Sequence, residues 1–265
     1  MPEGFAPVEN GRLWYEIRGF GPPVILIHAG LWDARTWDDQ MEPFSRGHRV
    51  VRYDLRGFGR SDRFDRPFSE RRDLAQLMDH LGLESAALVG ASIGGALAVD
   101  FAIEYPNRVN ALVLVAPGLS GDDTPDTDEM ERIWKQAQAA KDAGDLEGCV
   151  DLELEIWTPL RTDPEVDRRI RHIAQDNRHE LTLEWRHSQG MEPPAAGRLG
   201  EVRVPTLLIL GDSDAPVMGT IADRIVAGIP GTTRAAIPGA DHLPNMRRPA
   251  EFDRIVLEFL AGNGL

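Results

Sequence analysis

Two hydrophobic periods alternate along this chain. Short apolar runs occupy Arg12–Ile17, Val24–His28, Arg49–Asp54, Ala86–Gly90, Ala111–Ala116, Thr206–Gly211 and Thr233–Ile237. Several are almost continuous Val, Leu, Ile and Ala, the pattern of a strand covered on both faces. Between them lie amphipathic stretches that predict helices over Thr36–Phe44, Arg71–Leu81, Ile93–Glu104, Gly219–Ala227 and Ala250–Ala261. Strands alternating with helices imply an α/β fold: a mostly parallel central β-sheet flanked by helices.

The alternation stops near Gly118. From there the pattern is helical throughout, in MERIWKQAQAAKDAG, DLEGCVDLELEIW and PEVDRRIRHIAQDNRHELTLEWRH, and it closes with the loop GMEPPAAGRLGEVRVP. Strand character returns at TLLILG. The expected organisation is a core of residues 1–117 and 204–265, with a helical cap, 118–203, inserted between two core strands. Such insertions sit over the crevice where open α/β sheets bind ligands.

Composition narrows the function. A chain of 265 residues, 42% hydrophobic, can bury one large core together with an insertion. The net charge of −14 argues against nucleic acid as a partner. The excess is local: Gly118–Glu165 carries fourteen Asp and Glu against four Lys and Arg. A solvated acidic face explains it, and a field that repels anionic substrates is the sharper alternative. One cysteine, Cys149, excludes an internal disulfide and fits a reducing cytoplasm. The N-terminal residues lack a signal-peptide pattern, and no apolar run suffices to span a bilayer, so no membrane partner is expected.

The stretch AALVGASIGG carries the chemistry. Ser92 stands at a strand-to-helix seam, in the frame Gly90-Ala91-Ser92-Ile93-Gly94. A turn that sharp strains its central residue and brings the flanking backbone together, so glycine is required two positions before and two after. The hydroxyl is thrust out at the strand's C-terminal end, beside a helix N-terminus that favours developing negative charge. Neither a dinucleotide fingerprint nor a phosphate loop fits this spacing. A serine nucleophile needs a base, and the base an orienting acid. His242, in the loop PGADHLPNM, is the candidate base. The run ending at Gly211 leads into Asp212 and Asp214; Asp214 is the expected acid and Asp212 a turn or capping residue.

Oxyanion stabilisation requires two N–H donors. Ile93, next after the nucleophile, is one; the loop HAGLWDARTW supplies the other, with Gly30 first and Leu31 next. His28 is expected to brace this loop. The turn DLRGFGRSD, with Asp54, Arg56 and Asp62, is expected to be structural, and the acidic run from Asp122 to Glu129 lacks the glycine of a calcium loop. No cofactor or metal is called for. In the cap, Trp134, Trp157 and Trp185 are expected first as packing residues. Were Trp157 or Trp185 to face the crevice, they and Leu31 would bind an apolar or aromatic part of the substrate.

With these residues in order, the chain resembles the α/β-hydrolase superfamily. The resemblance runs through VILIHAGLWDARTWDDQ, RVVRYDLRGFGRSD, ALVGASIGGALAVDFAIEYPNRVNALVLVAP, PTLLILGDSD and IPGADHLPNMRRPAEFDRIVLEFL. Within it the chain is most similar to small esterases, 3-oxoadipate enol-lactonases and cofactor-free perhydrolases. The resemblance implies Ser92 as nucleophile, His242 as base and Asp214 as acid, acting on a small-molecule ester or lactone through an acyl-serine; because some members take the acid from the end of the preceding strand, it also implies Asp122 or Asp123 as the reserve acid. Three features depart from the pattern: Ala29 replaces the first glycine of the family's His-Gly loop, the segment FSERRDLAQLMDHLGL is about one helical turn shorter than in most relatives, and the His-Gly-x-Gly-Pro-Gly loop of aromatic meta-cleavage carbon–carbon hydrolases is absent. An enol-lactonase, perhydrolase or cofactor-independent oxygenase on the same scaffold, or a ligand sensor with little turnover, stands as the alternative. Oligomeric state is left open.

Overall fold

A computed structural model describes residues 2–265. Eight strands form one sheet: β1 (Glu3–Val8), β2 (Gly11–Arg18), β3 (Pro23–Ile27), β4 (Arg49–Tyr53), β5 (Ala86–Ala91), β6 (Val109–Val115), β7 (Thr206–Gly211) and β8 (Thr233–Ile237). Their spatial order is β1-β2-β4-β3-β5-β6-β7-β8. The pairs β1/β2 and β2/β4 are antiparallel, and every later pair is parallel. The seven strands read from the sequence are present to within two residues at either end. β1 is additional: EGFAPV carries a glycine and a proline, and it pairs only along its β2 side, where an edge strand tolerates both.

Helices pack on both faces. On one face lie α2 (Glu70–His80), α3 (Ile93–Glu104) and α7 (Pro216–Gly228), contributing Leu74, Leu77, Phe101, Ile221 and Ile225 to a common apolar layer. The other face is covered by α1 (Asp38–Ser45) and α9 (Pro249–Gly262) through Met41, Phe44, Phe252, Val256 and Leu260. β5 and β7 are buried along their whole length, which accounts for their unbroken apolar runs.

Between β6 and β7 the chain forms α4 (Asp128–Asp142), α5 (Leu146–Trp157) and α6 (Pro164–Asp176), followed by four short 3₁₀ turns. The helical reading holds to Asp176 and fails beyond it. Asn177 caps α6, its side-chain NH₂ donating to Ile173 O and to Asp33, while its Oδ1 accepts the Gly59 N–H at 2.7 Å. Those bonds bind the helix end to the loops after β3 and β4, and 178–187 continues as 3₁₀ turns instead of helix. Among the described residues no helix is long and apolar enough to cross a membrane.

Candidate active site

Ser92 lies between β5 and α3 with φ 50° and ψ −114°, a conformation side-chain-bearing residues rarely adopt. The flanking glycines are dictated by contact. A Cβ at Gly90 would stand 2.2 Å from Gly94 O, and one at Gly94 would stand 2.6 Å from Ile27 O. The turn therefore requires glycine on both sides, and it leaves the Ser92 side chain in the wall of a cavity. Ile93 opens α3, so its N–H has no partner within the helix.

His242 follows β8 and is almost fully buried. Its Nδ1–H donates to Asp214 Oδ1 at 2.9 Å and lies 3.2 Å from Oδ2. Asp214 sits just past β7 and also accepts the N–H of Ala215. The pairing assigns the proton to Nδ1 and leaves Nε2 as the available base, and His242 and Ser92 line the same cavity. Asp212 accepts the N–H of Gly239 and serves the turn. Asp122 and Asp123 lie elsewhere, both on Arg224.

The loop after β3 completes this wall. Gly30 lies beside Ile93: a Cβ on Gly30 would meet Ile93 Cδ1 at 3.6 Å. Leu31 has φ 65° and is buried at the cavity's edge. His28 is wholly buried with both ring nitrogens engaged. Nδ1–H donates to Ala29 O at 2.7 Å, and Nε2 accepts the Leu55 N–H at 2.9 Å. Burial pushes its pKa down to about 4, so it is a neutral brace between two loops.

The cavity measures about 340 Å³ and is lined by Gly30, Leu31, Ser92, Ile93 and His242 from the sheet side. Trp157 and Trp185 line it from the inserted segment. The Trp157 ring packs on His242 with centroids 4.6 Å apart, and its carbonyl accepts the His242 N–H. Trp134 instead packs against Trp157, 6.2 Å away, as a support. Three carboxyls also reach the cavity: Glu70, Glu153 and Glu180. Burial raises the pKa of each, and it pushes Glu153, which also feels the Glu180 charge, up to about 7.

Sequence reasoning missed these glutamates, because each sits in a helical or turn segment that reads as solvated. It also missed what holds the His242 loop. Asp241 is fully buried and takes two N–H groups of Arg247, with Nη2 2.8 Å from Oδ2. Arg247 lies on the short helix α8 (Pro244–Arg247) and also pairs with Asp167 of α6 and with Leu160 O. The inserted segment is thereby tied to the loop bearing His242. The only sequence signal was an Asp beside the histidine and an Arg six residues on. The turn DLRGFGRSD is structural: Asp54 accepts the N–H groups of Ala34 and Arg60, and Arg56 is bidentate on Asp73.

A family model described as the alpha/beta hydrolase fold matches residues 22–158. A 2-hydroxy-6-oxononadienedioate/2-hydroxy-6-oxononatrienedioate hydrolase of Comamonas testosteroni is 30% identical, over 96% of this chain and 93% of its own. A putative carbamate hydrolase of Azorhizobium caulinodans is 29% identical, over 94% and 95%. Among solved structures, a thermophilic esterase from Thermogutta terrifontis superposes with TM-score 0.83 at 26% identity, over 99% of both chains.

Proposed function

The chain belongs to the alpha/beta hydrolase fold family, and we propose that it is a serine hydrolase that cleaves a carboxylic ester or lactone through an acyl-serine. One observation carries the reading: a strained, glycine-flanked Ser92 shares its cavity with a histidine whose Nδ1 is held by a carboxylate.

In the proposed cycle His242 Nε2 takes the Ser92 proton as Oγ attacks the carbonyl carbon. The N–H groups of Ile93 and Gly30 donate to the resulting oxyanion. The leaving alkoxide takes the proton from His242 and departs as an alcohol, or stays tethered when the substrate is a lactone. Water, losing its proton to His242, attacks the acyl-serine; the acid leaves and Ser92 regains its proton. Asp214 orients the imidazole and stabilises its charged form. The helices of 118–203 act as a cap, with Trp157 and Trp185 as its substrate-facing side chains and Leu31 as a further substrate contact from the loop after β3.

The test is hydrolysis of p-nitrophenyl esters from acetate to decanoate by wild type and Ser92→Ala. Turnover should fall by about 10³-fold or more in the variant. Equal rates in both proteins would remove Ser92 from the mechanism. The Comamonas relative favours a second reading, carbon–carbon bond hydrolysis of a dienedioate. It predicts turnover of that dianion in place of simple esters.

A further inference from the structure

We propose that the substrate of this site carries a cationic ammonium group, received by the carboxylates of Glu153 and Glu180 alongside the rings of Trp157 and Trp185. The inference rests on the serine-hydrolase reading for the bond that is cleaved, and on the cavity wall alone for the charge.

The cavity is marked as a site by Ser92 and His242; its charged residues then say what enters. It is lined by three glutamates and by no lysine or arginine. Among the described residues none of the three closes an ion pair. Glu70 accepts the Ser188 hydroxyl at 2.9 Å, and Glu180 accepts the Trp185 indole N–H at 3.2 Å. Glu153 has only the Cys149 thiol, 3.8 Å away, with Glu180 as a neighbouring charge and Lys141 acting on both from beyond contact. Packing therefore explains Glu153 least. A largely buried carboxylate with no counter-charge in contact is costly, and its raised pKa is the expression of that cost. An ammonium in the cavity supplies the missing charge and restores full ionisation.

The rest of the wall agrees. Phe58, Trp32, Trp157 and Trp185 line the cavity together with the carboxyls, and aromatic faces attract alkylammonium groups that have shed their water. An adjoining pocket shares Phe58, Glu70, Ile93 and Trp185 and does contain two guanidiniums. Both are committed: Arg56 to Asp73 at 2.7 and 2.8 Å, and Arg71 to Glu104 and to the carbonyls of Gln189 and Gly190. Asp100, nine-tenths buried, lines that pocket too and accepts only the Ser120 hydroxyl. A substrate carboxylate would find repulsion here and no free partner. The acidity of the inserted segment thus reaches inward to the reacting serine.

The experiment compares two acetate esters of one shape, 2-(trimethylammonio)ethyl acetate and 3,3-dimethylbutyl acetate, which differ by a single charge. Their binding to Ser92→Ala is measured by calorimetry, and their turnover by the wild-type protein. The cationic ester should bind about tenfold more tightly or better, and Glu153→Gln introduced into Ser92→Ala should bring the two affinities close together. Equal binding of both esters to Ser92→Ala, or a preference that Glu153→Gln leaves undiminished, would overturn the proposal. Selectivity in Ser92→Ala needs no glutamate variant, so a misfolded Gln protein would not leave the question undecided. The turnover arm judges the other reading separately. A cation preference in binding with neither ester cleaved would count against ester hydrolysis only, and equal cleavage of both against the cation only.

Discussion

The two walls of the cavity are made differently. On the sheet side the groups sit at strand ends: Ser92 is set by its strained turn, Gly30 by its approach to Ile93, and His242 by the Asp214 carboxylate. On the side of the inserted segment they are side chains on α5 and on 3₁₀ turns: Glu153, Trp157, Glu180 and Trp185. The first wall is carried on turns at the strand ends, and the second on the inserted helix and turns. The proposed chemistry uses groups of the first wall and the proposed selectivity uses groups of the second, and this division can be tested.

The largest effect belongs to the sheet side. Asp214→Asn keeps the shape but should favour the wrong imidazole tautomer, lowering kcat by about 10⁴-fold while leaving the melting temperature nearly unchanged. Activity within tenfold of wild type would return the acid role to another residue. Next comes the tie between the walls. Arg247→Ala strands Asp241 as an unpaired buried charge and should cost about 3–5 kcal/mol in urea unfolding, with loss of activity as the His242 loop loosens. Wild-type stability would mean that the two walls are joined elsewhere.

The smallest effect separates the walls by the sign of their pH dependence. His28, behind the sheet wall, is pushed down to about 4 from 6.5. Its contribution is present above pH 6.5 and is lost as pH falls through 4, because the unfolded chain then binds a proton that the folded one refuses. The full loss is about 3 kcal/mol. Glu153, on the other wall, is raised from 4.5 to about 7. Its contribution is present below pH 4.5 and is lost as pH rises through 7, at about 2 kcal/mol after discounting its partial exposure. Urea midpoints from pH 4 to 8 should therefore show Glu153→Gln gaining on wild type as pH rises. A difference that is flat with pH would mean that Glu153 does not titrate in this window.

Much of the sheet side was legible because local patterns specify it. Thr206–Gly211 and Thr233–Ile237 were read with their observed ends, and Ile93–Glu104 coincides with α3. The glycines around Ser92 follow from the turn itself. The strand β1 was not legible, since an edge strand with Gly and Pro has no apolar signature. Nor was the end of α6, where Asn177 gives its bonds to Asp33 and Gly59, residues more than a hundred positions away.

The sequence by itself determined the α/β alternation, the place of the insertion, the elbow, and the order of Ser92, Asp214 and His242, because each is written in near neighbours or in strand ends. Only the tertiary structure decided that Trp157 rests on the His242 ring, that Arg247 joins α6 to the His242 loop, and that Glu153 and Glu180 line the same cavity as Ser92. Those facts depend on how the inserted helices settle on the sheet, and a helical pattern shows which residues share a face without showing what that face meets.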